Sequence, residues 1–180
     1  MHVDLLNHVL ALLGIGMFLA AGVLVFDMQS KNRSFASLFR NYGLWIAFLV
    51  SLFGSAMTLY YSDVLGYVPC GLCWLERVFL YPQVFILATA LYLKDTRAAI
   101  YGTVLSACGL LIALYHHYLQ MGGAELLSCP TTGKGADCAE RILFEFHFVT
   151  FPLLAAFLFI FLIALYWYLT NEMRRPVVVE

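Results

Sequence analysis

The chain has 180 residues, of which 63% are hydrophobic and only 12% are charged, and its mean hydropathy is +0.86. A soluble domain carries roughly 45–50% apolar and about 25% charged residues, so this composition excludes an ordinary water-soluble globular protein. The net charge of −1 gives no sign of the basic surface that binding to nucleic acid requires. Five cysteines are an odd number, so at least one has no partner cysteine within the chain.

Five apolar stretches are long enough to cross a bilayer, which takes about 20 residues of helix. Unpaired backbone groups are not tolerated in lipid, and the alternating pattern of a membrane barrel is absent, so helices are expected. The predicted fold class is therefore an all-α membrane protein that forms a single membrane domain over residues 1–180. In chain order the predicted spans are Leu5–Phe26, Gly43–Tyr61, Leu72–Leu93, Ala98–Leu119 and Phe148–Thr170.

The first stretch, Leu5–Phe26, has the length of a span but could also be a cleaved signal peptide. The residues before it, Met1–Asp4, carry no lysine or arginine, and the basic residues follow the apolar run instead of preceding it. A retained membrane helix is therefore the favoured interpretation. Small residues in spans two and four predict close packing between helices, namely Gly54, Gly102 and Gly109.

Lysine and arginine in the connections predict the orientation of the spans. Because successive spans alternate in direction, most of the basic residues fall on one side, which is expected to be the cytoplasm. These residues are Lys31, Arg33, Arg40, Lys94, Arg97, Arg174 and Arg175. Only Lys134 and Arg141 lie in connections on the other side. The pattern predicts an external N-terminus and a cytoplasmic C-terminus.

The third span begins at Pro-Cys-Gly-Leu-Cys, which contains Cys70 and Cys73. The tight ring of a Cys-x-x-Cys disulfide favours an oxidising bond, and a helix N-terminus favours a thiolate. Arg77 lies four residues after Cys73, on the same helical face, where its charge would stabilise that thiolate. A charge so near the hydrocarbon is usually functional. The structural alternative is an arginine that extends to the headgroups, with Glu76 as its partner.

The outer end of the fourth span carries His116 and His117, at the same depth as the Cys-x-x-Cys. An imidazole there could hydrogen-bond a quinone carbonyl or move its protons, although an interfacial histidine without a role is the alternative. Adjacent helical residues point about 100° apart, so at most one of the two faces the site. Cys108, near the middle of this span, is expected to be a small apolar packing residue.

A second cysteine pair, Cys129 and Cys138, lies in the connection 121–147, on the same side as the first pair. The glycines between them would let a bridge close easily and let either sulfur move, although a structural staple is the alternative. Two pairs at one face suit a relay, in which one dithiol collects electrons outside and the other passes them to an acceptor in the membrane. Four thiols could bind zinc, but the spacing of nine and the oxidising compartment argue against it, so no metal is expected.

The ordered set of motifs resembles the DsbB-type disulfide bond formation proteins of bacterial inner membranes. The residues that carry the resemblance are Cys70–Arg77, Tyr115–His117, Cys129 and Asp137–Arg141. The likeness runs from about Trp45 to Tyr168 and covers four spans and both outer loops. It implies an antiparallel four-helix redox bundle over 43–170, preceded by one extra transmembrane helix at 5–26.

The resemblance also implies a function, namely oxidation of a periplasmic thioredoxin-fold partner of the DsbA kind. Cys129 would form the mixed disulfide with this partner, and Cys138 would resolve it and bridge transiently to Cys70. The electrons would then pass to a quinone, either ubiquinone or menaquinone, in the membrane. The chain would be a thiol:quinone oxidoreductase.

The quinone side of the site follows from the same resemblance. Cys73 would be the thiolate that attacks the quinone ring or forms a charge-transfer contact with it. Arg77 would stabilise the quinone oxygen and that thiolate. Of the two histidines, His117 matches the quinone-side histidine of the family better than His116.

The chain departs from the family pattern in two ways, and two other classes remain as alternatives. The family has four spans with both termini in the cytoplasm, whereas this chain has an extra first span, and its second outer loop is shorter. A vitamin K epoxide reductase type of enzyme has its loop pair before the Cys-x-x-Cys, and here the order is reversed. A non-enzymatic membrane subunit would carry the two disulfides as staples.

Overall fold

The protein is represented by a computed structural model that describes residues 2–30, 35–126, 129 and 137–173. Five long helices occur in this part of the chain, and each is long and apolar enough to cross a membrane. They are α1 (His2–Gln29), α2 (Ala36–Leu59), α3 (Gly71–Leu93), α4 (Ala98–Gln120) and α5 (Phe151–Met173). The predicted all-α membrane fold with five spans is confirmed.

The predicted start of the fifth span is wrong, because residues 148–150 belong to a short hairpin. Strand β1 (Phe144–Glu145) pairs antiparallel with β2 (Val149–Thr150), and Phe144 lies opposite Thr150. The two turn residues Phe146 and His147 have left-handed φ values of 50° and 67°. Val149 and Thr150 are fully buried. The apolar residues at this point of the sequence therefore pack inside the protein and do not mark the start of a span.

Helix α2 is longer than predicted and ends in a different geometry. It begins at Ala36 instead of Gly43, and it continues through a π-helical turn at Tyr60–Val64. Such wide turns are rare and are often found at functional sites. The turn places Tyr61, which is 4% exposed, inside the bundle, where its hydroxyl donates a hydrogen bond to Asn7 Oδ1 of α1.

Helix α5 is the central helix and packs against α1, α2 and α4. Helix α4 packs closely against α5, because two glycines of α4 face aromatic rings of α5. A Cβ added at Gly109 would lie 2.4 Å from the Phe159 ring, and one at Gly102 would lie 2.6 Å from the Tyr166 ring. The predicted close packing at these small residues is confirmed.

A buried polar cluster joins three helices halfway along the bundle. Gln83 Oε1 of α3 accepts hydrogen bonds from the Tyr166 hydroxyl of α5 at 2.9 Å and from the Ser106 hydroxyl of α4 at 3.2 Å. The Gln83 amide nitrogen donates to the Phe79 carbonyl one turn earlier in α3. Because all three polar side chains find partners inside the bundle, their burial is compensated.

Helix α1 is fastened to the other helices at both of its ends. Near its start, His8 Nδ1 lies 3.0 Å from Glu145 Oε2 of the hairpin, next to the contact between Asn7 and Tyr61. Near its end, the Tyr168 hydroxyl of α5 donates to Asp27 Oδ2 at 2.7 Å. These contacts hold α1 along α5.

The ends of the bundle differ in chemistry. One end, formed by residues 60–73, 120–126 and 137–150, holds the Cys-x-x-Cys and is called the cysteine end below. Of the seven basic residues expected in the cytoplasm, Arg40, Lys94 and Arg97 lie at the opposite end. The others fall outside the described residues, namely Lys31, Arg33, Arg174 and Arg175.

Candidate functional site

The Cys-x-x-Cys forms the first turn of α3, and its two sulfurs are not equivalent. Cys70 has an extended backbone and is the N-cap residue, and its Sγ accepts a hydrogen bond from the Cys73 backbone N–H at 3.2 Å. The Sγ atoms of the two cysteines are 2.7 Å apart. The unpaired N–H groups and the positive dipole end of α3 therefore favour a thiolate at Cys70.

A buried histidine and a carboxylate extend this contact into a chain of three groups. His116 Nε2 lies 3.5 Å from Cys70 Sγ, and His116 Nδ1 lies 2.8 Å from Glu76 Oε1. The two ring nitrogens of His116 therefore bridge the Cys70 sulfur and the Glu76 carboxyl group. His116 is 1% exposed, which isolates the chain of contacts from water.

The surroundings of Cys70 favour its thiolate form. The hydrogen bond from the Cys73 side chain is the largest cause, and it lowers the pKa of Cys70 to about 4. The contact with His116 acts in the same direction, whereas burial opposes both. These surroundings favour the thiolate at Cys70, whereas the family resemblance assigns the reactive thiolate to Cys73.

The two adjacent histidines face different partners, as the helical geometry predicts. His117 Nδ1 lies 2.8 Å from the Thr150 hydroxyl in the hairpin, and His117 does not line the cavity that borders the cysteines. The structure thus brings His116, and not the expected His117, to the cysteine pair. The quinone-side role of His117 stays a prediction, and its position does not support that role.

Arg77 is buried among the helices, with 8% of its surface exposed. Its Nη2 donates to the Thr58 carbonyl of α2 at 2.8 Å, and its guanidinium lies 5.1 Å from the centre of the Trp74 ring. Glu76, considered as its partner, contacts His116 instead. Arg77 therefore points into the protein and not toward the headgroups.

The second pair, Cys129 and Cys138, is joined by a disulfide, with Cα atoms 6.1 Å apart. Cys138 is 1% exposed, and it belongs to one buried cluster with Cys70, Leu72 and Leu119. Cys129 and Cys73 are partly buried against the same cluster. The structure thus brings all four cysteines together at the cysteine end, although seven residues of the intervening loop, 130–136, are outside the described part.

The described part of the loop is tied to the end of α4. The Gln120 amide nitrogen donates to the Glu140 carbonyl at 2.8 Å, and Arg141 Nε donates to the Gln120 carbonyl. The Arg141 guanidinium also lies 4.7 Å from the centre of the Phe144 ring. These contacts hold the segment that carries Cys138 against the helix that carries His116.

A cavity of about 160 Å³ borders the cysteine pair and extends between the helices. Its polar lining includes Cys70, Cys73, Arg77 and His116, and most of the remaining lining is apolar. Gln120 also lines it, and the Oε1 atom of this side chain is buried without a hydrogen-bond partner among the described residues. A cation, an unused acceptor and apolar walls suit an apolar ligand with polar oxygens at one end.

Metal binding is the other chemistry that these side chains allow. Donor atoms of Cys70, Cys73 and His116 lie within 4.8 Å of one another, which is close enough for three ligands of one ion. The zinc site with four thiols is not formed, because Cys129 and Cys138 are bonded to each other. The expectation that no metal is used stays a prediction.

Two cysteine pairs gathered at one end of a membrane-spanning bundle define a membrane thiol oxidoreductase. The sequence model of the family described as disulfide bond formation protein DsbB matches residues 40–169. The chain therefore belongs to the DsbB family of disulfide bond formation proteins. The match begins within α2, so that α1 lies before the matched region.

Individual relatives agree with the family match. The chain is 40% identical over 123 residues to a probable disulfide formation protein of Chlamydia muridarum, covering 68% of this chain and 87% of the relative. It is 36% identical over 115 residues to the SPbeta prophage-derived disulfide bond formation protein B of Bacillus subtilis, covering 63% and 76%. It is 32% identical over 131 residues to disulfide bond formation protein C of the same organism, covering 73% and 92%. No solved structure matches the chain.

Family membership decides between the classes left open by the sequence. It supports a role in disulfide formation and implies thiol oxidoreductase activity. It favours this class over an enzyme of the vitamin K epoxide reductase type and over a subunit with two inert staples. The sequence analysis considered His116 only as the poorer match of two histidines and Glu76 only as a partner of Arg77, and it did not predict the contact between them.

Proposed function

We propose that this protein is a quinone-dependent oxidase that reoxidises a DsbA-like thioredoxin-fold protein in the periplasm. It acts in the bacterial inner membrane, with the cysteine end on the periplasmic side. The observation that carries the proposal is that Cys70 and Cys138 belong to one buried cluster, beside a largely apolar cavity lined by Cys73 and Arg77.

The first step exchanges the loop disulfide with the partner. A partner thiolate attacks Cys129, the bond between Cys129 and Cys138 breaks, and Cys138 leaves as a thiolate. The second partner thiol then attacks the mixed disulfide, so that the partner is oxidised and both loop cysteines are reduced. Partly buried Cys129 is more accessible than Cys138, which is 1% exposed, and this difference favours Cys129 as the site of attack.

The second step passes two electrons inward to the Cys-x-x-Cys disulfide. Cys138 attacks Cys70, Cys73 leaves as a thiolate, and Cys129 then displaces Cys70 from Cys138. The loop disulfide is restored and the inner pair is reduced. Packing of Cys138 and Cys70 in the same cluster supports this route.

The third step would reoxidise the inner pair to its disulfide, and a bound quinone would be the oxidant because it can accept two electrons and two protons. Arg77 lines the cavity with Cys73 and supplies positive charge where a quinone oxygen becomes negative. His116 Nε2 faces the Cys70 sulfur and would stabilise its thiolate, and the contact with Glu76 holds the imidazole in that orientation. Gln120 Oε1, a buried acceptor without a partner in the described part of the chain, would suit a hydroxyl of the quinol product.

The proposed orientation follows from the basic residues, since Arg40, Lys94 and Arg97 lie at the end opposite the cysteines. Labelling of introduced cysteines in intact cells with an impermeant maleimide tests it, in a cysteine-free background. A site at Gly122 should be labelled and a site at Asp95 should be protected. The reverse pattern would place the cysteines in the cytoplasm and contradict the proposal.

The function is tested by anaerobic incubation of the purified protein with a reduced thioredoxin-fold partner and a quinone. One quinone should be reduced for each partner disulfide formed, as followed by quinone absorbance and thiol titration together. Protein without quinone should stop after its own disulfides are consumed. Continued oxidation without quinone, or quinone reduction without loss of partner thiols, would contradict the proposal.

A further inference from the structure

Helix α1 contributes to the cavity although it precedes the region that matches the family. Three of its side chains line the cavity, namely Leu10, Leu13 and Met17. Their spacing of three and four residues places them on one face of the helix. The opposing walls come from other helices and are also apolar, with Phe53 and Met57 of α2 among them.

The cavity is elongated along the bundle, and its chemistry changes with depth. The seven residues from Leu10 to Met17 span about 10 Å of helix. Polar groups that suit a quinone ring, such as Arg77 and Gln120, lie with the cysteines. At the level of Met17 the lining is apolar, with Leu154 and Leu158 of α5 contributing. A ligand that fills such a space has a polar head and a long apolar tail.

The wall formed by α1 is held in place by specific contacts. Tyr61 lines the cavity, and its hydroxyl donates a hydrogen bond to Asn7 Oδ1 of α1. His8 contacts Glu145 of the hairpin, and Asp27 accepts from Tyr168 at the far end of the helix. Because α1 is fastened at both ends, its lining residues form a defined surface.

The cavity also reaches the outside of the bundle beside α1. Helix α1 packs mainly against α5 and only weakly against α2. Leu13 lines the cavity and is nevertheless 48% exposed, on a helix apolar enough to lie in lipid. The opening beside Leu13 therefore leads toward lipid and not toward water.

We propose that α1 forms a subsite for the isoprenoid tail of the quinone, with Leu10, Leu13 and Met17 as its lining. The inference rests on the proposed function, because it concerns the same bound quinone. Its consequence is that α1 makes this chain selective for the length of the tail. The quinone head is held at the cysteine end, and the tail passes along α1 to the lipid.

A pair of tryptophan substitutions at neighbouring positions tests the subsite. Leu13→Trp fills the cavity, whereas Leu12→Trp adds the same bulk at an exposed position that does not line it. In proteoliposomes, Leu13→Trp should raise KM for a long-tailed quinone about tenfold, equivalent to losing the burial of roughly two methylene groups. It should leave KM for a quinone with a single isoprene unit nearly unchanged. Leu12→Trp should change neither value.

The depth of the substitution provides a second, independent readout. Leu10→Trp, nearest the cysteines, should raise KM for both short-tailed and long-tailed quinones, because it crowds the space for the quinone head. Met17→Trp, about 10 Å deeper, should raise KM for the long-tailed quinone only. Equal effects of Met17→Trp on both quinones would contradict a tail subsite, and no effect of either substitution would contradict a wall formed by α1.

Photo-crosslinking avoids any dependence on folding of the variants. A long-tailed quinone with a diazirine in its tail should label a peptide of the wild-type protein that contains residues 10–17. Unlabelled long-tailed quinone should compete, and added phospholipid should not. Labelling confined to other helices would overturn the inference, and so would competition by phospholipid but not by quinone. The inference would also fail if the purified protein were found to have lost residues 5–26.

The outcomes distinguish this inference from the proposed function. If the wild-type protein reduces a short-tailed quinone with partner electrons and the Leu13→Trp and Leu12→Trp variants behave alike, only the tail subsite is wrong. If the wild-type protein reduces no quinone of either length, the proposed function is wrong. Activity with every quinone and no difference between positions would identify the occupant of the cavity as lipid.

Discussion

The two cysteine pairs lie in one cluster, yet their surroundings are opposite in character. Cys70 and Cys73 belong to the first turn of a helix and have a histidine, a carboxylate and an arginine nearby. Cys129 and Cys138 belong to a loop, are joined by a disulfide and pack against a cluster that contains Leu72 and Leu119. The inner pair is thus built to control charge, and the loop pair is built to meet another protein. The predictions below test this division.

Replacing one loop sulfur should have the largest effect. Cys129→Ala should abolish oxidation of a reduced thioredoxin-fold partner, because no mixed disulfide can form. A small dithiol that reaches Cys70 and Cys73 directly should still reduce bound quinone. Cys108→Ala, in the middle of α4, is the matched control and should oxidise the partner at the normal rate. Normal partner oxidation by Cys129→Ala would remove that residue from its assigned role.

Replacing each of the two adjacent histidines by alanine should show which of them acts on the inner cysteine pair. His116→Ala should slow quinone reduction by about tenfold, because it removes a contact that favours the Cys70 thiolate, and a charge-assisted hydrogen bond contributes about 1.5–3 kcal/mol. His117→Ala should stay close to the wild-type rate, because its ring contacts Thr150 and does not face the sulfurs. Stopped-flow measurement of quinone absorbance gives both rates. A larger loss for His117→Ala would restore the role that the family resemblance implies.

Removing the buried charge should weaken quinone binding more than exchange with the partner. Arg77→Met should raise KM for quinone about tenfold, since hydrogen bonds to charged groups contribute about 1.5–3 kcal/mol. Arg77→Lys keeps the charge, so its KM for quinone should lie between those of the wild-type protein and Arg77→Met. The rate at which Cys129 forms a mixed disulfide should be the same in all three proteins. A wild-type KM in Arg77→Met would leave this residue with a structural role only.

The smallest effect is a shift in a titration. An ordinary cysteine has a pKa near 8.5 and loses its thiolate as the pH falls below that value. The pKa of Cys70 is lowered to about 4, so the reduced protein should keep one thiolate until the pH falls through about 4. The ultraviolet thiolate absorbance of reduced protein, minus that of Cys70→Ala, measures it. His116→Ala should move the midpoint upward, and a midpoint near 8.5 in the unmodified protein would contradict the assignment.

Most of the architecture could be predicted because lipid leaves few alternatives. Five apolar stretches gave five helices, and alternation of the spans placed both cysteine pairs at one end. The hairpin at residues 144–150 was missed because Val149 and Thr150 are buried by protein, and buried strand and membrane helix share an apolar composition. The bounds of the second span were missed because α2 extends beyond its apolar portion at both ends.

Those site residues whose type is fixed by covalent chemistry could be predicted from the sequence. Residues that reach the site only through the orientation of a helix were harder to predict. Four cysteines and Arg77 were recognised from their spacing, and the structure gathers them around one cluster and its adjoining cavity. Spacing alone cannot choose between His116 and His117, since the choice depends on the rotation of α4 against α3. The contact between His116 and Glu76 joins residues 40 positions apart, which no local pattern reveals.

The close approach of α4 to α5 has a consequence for how the protein changes shape while it works. With Gly102 and Gly109 seated against the Tyr166 and Phe159 rings, α4 can neither slide nor turn without driving backbone into an aromatic ring. Helix α4 also carries His116, so the imidazole keeps a fixed position relative to α5. A rearrangement that accompanies electron delivery should therefore leave α4 and α5 in register with each other.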